Sequence, residues 1–110
     1  MAMENFDKYR KSAKYKAIRA DLLHQLALRG TNEQYYLDLV SDYMNFWVTK
    51  NLLNEDIQKR GVVVEYHNGG GQSGWKRNES ITEQIRVNTQ MLHILAALEI
   101  KPADMLDEEM

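Results

Sequence analysis

Lysine and arginine carry the densest chemistry in this chain. Lys8, Arg10, Lys11, Lys14, Lys16 and Arg19 fall within twelve consecutive positions, with Tyr9 and Tyr15 among them. Cations gathered on one element bind a phosphate backbone by releasing its condensed counterions. The plainer reading is a solvated helix face, which is what most charge runs are. Lys76 and Arg77 form a second basic pair beside a glycine-rich segment and are further candidates for DNA contact.

Other constellations fail as catalytic sites. The run from Asn68 through Gly69, Gly70, Gly71, Gln72, Ser73 and Gly74 to Trp75 and Lys76 superficially resembles a phosphate cradle. After Gly74, however, Trp75 displaces the lysine, and no Ser or Thr follows Lys76 to hold Mg²⁺. No βαβ unit surrounds the glycines, so a dinucleotide site is excluded too. Asp38 and Asp42 are four apart on one predicted helix, Glu55 and Asp56 lie near its end, and Glu79 and Glu83 open the next. A helical Mg²⁺-dependent nucleotide hydrolase would need several such acids on facing helices, whereas solvated acids and helix-start dipole partners explain them more simply. His24, His67 and His93 sit on three different segments without metal-ligand spacing. There is no cysteine, hence no disulfide, thiol nucleophile or thiolate metal site. No catalytic residue, metal or cofactor is expected.

The elements that must position the basic residues follow from where chain breakers fall. Five of the six glycines lie between Gly61 and Gly74, and the one proline is Pro102. This predicts a mainly α fold, a helical hairpin or bundle with long central helices and a short β-hairpin or glycine-rich loop inserted. A first helix is predicted over residues 5–29, with Tyr15, Ile18, Leu22, Leu23 and Leu26 on one face and Gly30 as its left-handed terminator. Thr31 with Gln34 has capping-box spacing and restarts a helix over residues 32–59. Its stripe of Tyr36, Leu39, Val40, Tyr43, Phe46, Trp47, Leu53 and Ile57 is broad, and the helix would be ~40 Å long. That is long for a 110-residue monomer, so Tyr36, Leu39, Tyr43, Phe46 and Trp47 are candidate oligomerisation residues. Val62, Val63 and Val64 have strand propensity, Asn68-Gly69 is the hairpin-prone dipeptide, and residues 72–77 form the return. Ser80 with Glu83 is a second capping box, opening a helix whose core face comprises Ile81, Ile85, Val87, Met91, Leu92, Ile94, Leu95 and Leu98. Lys101-Pro102 interrupts the chain before a short helix or acidic tail over 103–109.

The 110 residues bound the chain to one domain: a basic segment over 1–30, a helical hairpin core over 31–100 with a loop at 60–78, and an acidic end over 101–110. Apolar residues are 44% and charged residues 27%, the balance of a folded domain. The net charge of −2 conceals an asymmetry. Residues 1–30 hold seven bases against three acids, and the remainder holds seven against thirteen. No span-length apolar run and no signal peptide is visible, so the expected compartment is the cytoplasm, with no membrane partner.

The order of motifs resembles a small-subunit family of tailed-phage terminases. The resemblance rests on Tyr36-x-x-Leu39-Val40-x-Asp42-Tyr43-x-x-x-Trp47, Leu53-x-x-Asp56-Ile57, Arg60-Gly61, and Gln90-Met91-Leu92-x-Ile94-Leu95. Its most specific part is Tyr66-x-Asn68-Gly69-x-Gly71-Gln72-x-Gly74-x-Lys76-x-Asn78-Glu79-Ser80. It covers roughly residues 20–104. What it implies is a non-catalytic DNA-packaging subunit that acts in the host cytoplasm. Such subunits assemble into rings, bind double-stranded viral DNA, and recruit and regulate a large subunit carrying the ATPase and nuclease. It also implies a DNA-binding region towards the N-terminus and oligomerisation through the central helices. The Asp107-Glu108-Glu109 end is a candidate attachment for the large subunit. The alternative readings are a small dimeric DNA-binding regulator and a structural adaptor.

Overall fold

The computed structural model describes residues 3–100, with side chains from residue 5 onward. The interruption at Lys101-Pro102, the element over 103–109 and the acidic end fall outside the described residues. In chain order the elements are α1 (Met3–Arg10), α2 (Ala13–Leu28), α3 (Gln34–Arg60), β1 (Val63–Asn68), β2 (Gln72–Arg77) and α4 (Glu79–Ala97).

The single first helix expected over residues 5–29 is two helices. Ser12 adopts an extended backbone (φ −69°, ψ 150°). Its hydroxyl donates to the Tyr9 carbonyl at 2.7 Å and accepts from the Tyr15 N–H at 3.1 Å. A serine side chain that bonds neighbouring backbone groups competes with helix continuation and makes a strong N-cap, so α1 stops and α2 starts there. The far end of α2 closes as expected: Gly30 has φ +71°, its N–H reaches the Ala27 carbonyl at 3.1 Å, and the Thr31 N–H reaches Leu26 at 3.0 Å. Those two bonds are a Schellman motif. α4 ends in the same motif with Glu99 in the left-handed position (φ 58°), a conformation that glycine adopts without steric cost.

Neither capping box forms. The N-cap of α3 is Glu33, without a side-chain bond, because the Thr31 hydroxyl turns back to the Leu26 carbonyl at 3.3 Å. The N-cap of α4 is Asn78, whose side chain accepts from the Ser80 N–H at 2.9 Å.

α3 and α4 run antiparallel, since Ser80 meets Asp56 at one end and Lys50 meets Asn88 further along. Val40, Met44, Val48, Leu52 and Leu53 of α3 pack with Val87, Met91, Ile94 and Leu98, and α2 adds Leu22 and Leu26. Each of these residues is less than a tenth exposed. The α4 members recur at spacings of four, three and four, a single helical line. Ile85 and Leu92, expected in that core, are instead 58% and 57% exposed. They sit seven apart on a separate outer line of α4. Trp47, expected at a subunit contact, is buried in its own chain, where Tyr9 and Tyr15 meet it edge-on with ring centroids 6.0 and 5.8 Å away. Tyr36, Leu39, Tyr43 and Phe46 are half-buried against the same core.

β1 and β2 pair antiparallel from Val63↔Arg77 to Asn68↔Gln72. The turn is Gly69–Gly71 rather than Asn68-Gly69, with Gly70 and Gly71 both at φ +82°. The radius of gyration is 18.1 Å and the extents are 61 × 34 × 23 Å. A compact chain of this length has a radius of about 13 Å; the long α3–α4 pair and the hairpin beyond its end account for the excess.

Candidate nucleic-acid interface

The break at Ser12 decides what each basic residue can do. α1 lies against the middle of α3, and its cations are engaged there. Lys8 pairs with Glu55 at 3.6 Å. The Arg10 guanidinium lies over the Phe6 ring at 4.6 Å and donates to Asn45 at 3.4 Å. The Tyr9 hydroxyl also donates to Glu55. Burial, and then that bond, push the Tyr9 hydroxyl up to about 12, while the same bond holds Glu55 below the usual carboxylate range.

Lys11, in the break, and Lys14, Lys16 and Arg19 on α2 are exposed. None forms an ion pair with a described residue. They do not share one stripe. Lys16 and Arg19, three apart, lie on one flank of α2, and Lys14, two before Lys16, is about 200° round the axis. Between the flanks the outward face carries Ala13, Ala17, Ala20 and His24, all exposed. The inward face is taken by Tyr15, Ile18, Leu22 and Leu26 against α3. Arg29, the seventh base, is committed to structure: it donates to the Glu99 carbonyl at 2.7 Å and to the Leu98 carbonyl, closing the C-terminus of α4.

Lys76 and Arg77 are carried far from α2, on β2. Lys76 pairs with Glu79 at 3.3 Å. Arg77 is exposed opposite Val63. Their position is set by a polar clasp at the base of the hairpin. Arg60 grips Asp56 with two bonds of 2.7 Å, and the Ser80 hydroxyl donates to the same carboxylate at 2.6 Å. Those contacts, Arg60 first and Ser80 second, hold Asp56 well below the usual carboxylate range. Asn78, fully buried, caps α4, donates to the Gly61 carbonyl at 2.9 Å and accepts from Arg60 at 3.2 Å; its own N–H reaches the Val62 carbonyl at 2.7 Å. The Asp56, Arg60-Gly61 and Asn78-Glu79-Ser80 motifs thus meet in space. Asp56 and Arg60 are one helical turn apart, but 17 or more positions separate them and Gly61 from Asn78-Glu79-Ser80, and only their shared place in the motif order hinted that they cooperate.

A family model described as phage terminase, small subunit, matches residues 16–106. The chain belongs to the phage terminase small-subunit family. Comparison with curated proteins and with solved structures gave no match. Membership ties the chain to phage DNA packaging and to a family of generally non-catalytic subunits. The match begins at Lys16, within α2, and runs through α4, so the clasp, the β-hairpin, Lys16 and Arg19 belong to the small-terminase region, whereas α1, Lys11 and Lys14 precede it. Asp38 and Asp42 are exposed on α3. Among the described residues no three His, Asp or Glu side chains gather as metal ligands, and no helix is long and apolar enough to cross a membrane.

Proposed function

We propose that this small terminase subunit binds double-stranded viral DNA as a ring-forming homo-oligomer, without catalysing a reaction, and recruits and regulates the ATPase-nuclease large subunit. The observation that carries the DNA reading is the group of Lys11, in the break, with Lys14, Lys16 and Arg19 on α2, all exposed and free of described acidic partners while the inner face of α2 is fixed to α3. Cations on both flanks of α2 suit a helix seated in a groove, where each flank faces one phosphate wall. The small Ala17 and Ala20 side chains between them permit close approach to base edges. Lys8 and Arg10 contribute at the rim, and Arg77 with Lys76 adds a second, distant contact. Repetition around an oligomer turns a modest local charge into high avidity. Half-buried Tyr36, Leu39, Tyr43 and Phe46, with exposed Ile85 and Leu92, are the apolar surface proposed to meet neighbouring copies.

Replacing Lys11, Lys14 and Lys16 together by Glu is expected to abolish duplex binding in fluorescence anisotropy at low salt. Single Lys→Ala variants are expected to reduce the slope of log affinity against log salt by about 0.9 for every phosphate that the missing cation neutralised. Unchanged affinity of the triple variant refutes the α2 assignment. Native mass spectrometry is expected to give a multiple of 12.9 kDa, and a strict monomer across concentrations removes the ring.

A further inference from the structure

The β-hairpin is not self-sufficient. It has two strands of six residues, and two-stranded ribbons are marginal in water without a third strand or a packed face. Its outer face is left uncovered by the subunit's own helices: Val63 is 52% and Trp75 68% exposed. On the opposite face the ring of Tyr66 covers Gly74, so closely that a Cβ on residue 74 would sit 2.8 Å from the Tyr66 hydroxyl. Both strands also present an outer edge, about 20 Å of backbone N–H and C=O groups with no third strand among the described residues. Exposed edges of this kind are usually blunted by proline, a bulge or charge. Here proline is absent from both strands and the pairing runs without a bulge, so charge, at Glu65, Lys76 and Arg77, is the one such device present.

Charge distinguishes the two edges. β1 carries one acid, Glu65, with His67 beside it at 2.7 Å, while β2 carries Lys76 and Arg77. Pairing β1 with β1, or β2 with β2, sets like charges against each other; pairing β1 with β2 sets unlike charges together. A β1-to-β2 contact is heterologous, so it propagates from copy to copy instead of closing as a two-fold dimer. The Asn78–Arg60–Asp56 clasp fixes the hairpin to the end of the α3–α4 pair, presenting both edges in a set direction before any neighbour arrives.

We infer that the hairpin is an intersubunit joint: the β1 edge of one copy pairs antiparallel with the β2 edge of the next, building a sheet continuous through the assembly. This rests on the oligomer proposed above and deepens it. The occupant is a second copy of this chain, and Trp75 and Val63 are covered by the neighbour's same-face side chains.

Amide exchange on the full-length chain tests it. The assembly, its mass first verified, is labelled, quenched, dissociated and read residue by residue. In a lone two-stranded hairpin every second amide of Val63–Asn68 and Gln72–Arg77 points outward and exchanges freely. Protection of both alternating sets in the DNA-free assembly is the expected result. An intact assembly whose outward set exchanges at the free rate overturns the joint and leaves the oligomer standing; a strictly monomeric chain overturns both. Protection that appears only after duplex DNA is added also overturns it, because the hairpin is then a DNA contact. As a second arm, Glu65→Lys is expected to weaken assembly by up to about fivefold per interface, and adding Lys76→Glu and Arg77→Glu to that variant should restore it. Failure of the swap to restore mass overturns the charge-paired register.

Discussion

The α3–α4 hairpin and the β1–β2 hairpin share one clasp but are held by different forces. Between the helices, Val40, Met44, Val48 and Leu98 are at most 1% exposed, and dispersion and apolar burial zip the pair without help from outside. Between the strands there is a backbone ladder and one ring over one glycine, with Trp75 and Val63 left in solvent. The contrast is one of burial: the helical pair encloses its apolar residues within the subunit, and the hairpin leaves Val63 and Trp75 exposed on the face that the proposed joint would cover.

The sharpest way to break this contrast is to attack the slab. Met44→Ala empties a fully enclosed site, and truncations of that kind cost roughly 2–5 kcal/mol. Urea denaturation of the dissociated chain should show a loss in that range, with the hairpin lost alongside the helices because its clasp is anchored on α3. A cost under about 1 kcal/mol contradicts a slab that is stable by burial.

The clasp itself should respond to acid. Asp56 has a folded-state pKa below that of an unfolded aspartate, about 3.9. Its contribution is therefore complete above about pH 5 and is lost as pH falls, since the unfolded chain takes up the proton first. Asp56→Asn should be less stable than the parent at pH 7, by less than the Met44 variant, and should have a flatter melting temperature between pH 5 and pH 3. Equal slopes for the two proteins would remove Asp56 from the linkage between α3 and the hairpin.

How far these regions were legible in the sequence follows the same division. Long apolar periodicity marked α3 and α4, and β-branched residues with glycines marked the hairpin, because those signals are local and repeated. Ser12 was not legible as a break: one serine amid good helix formers ends a helix only when the flanking turns can dock, as Tyr9 and Tyr15 do on Trp47. The same docking took Trp47 out of the candidate oligomer surface, while Ile85 and Leu92 lie outside the core because they fall on a different line of α4 from Val87, Met91, Ile94 and Leu98. At the candidate interface, the cluster of bases was visible but its division was not. Whether Lys8 is tied to Glu55 while Lys14 is free depends on a contact 47 residues away in sequence, which no spacing rule encodes.

The smallest expected effect is also the most discriminating. Trp75 is 68% exposed, so Trp75→Ser should change the stability of the dissociated subunit by no more than about 0.5 kcal/mol, as for other surface substitutions. The helical signal and urea midpoint at the lowest measurable concentration should be those of the parent. If copies associate through the proposed joint, which covers the ring of Trp75, the two proteins should separate at higher concentration, and the variant's midpoint should lose its concentration dependence first. A drop of more than about 1 kcal/mol in the dissociated state would mean that Trp75 already packs on its own chain. The two hairpins would then differ in degree and not in kind.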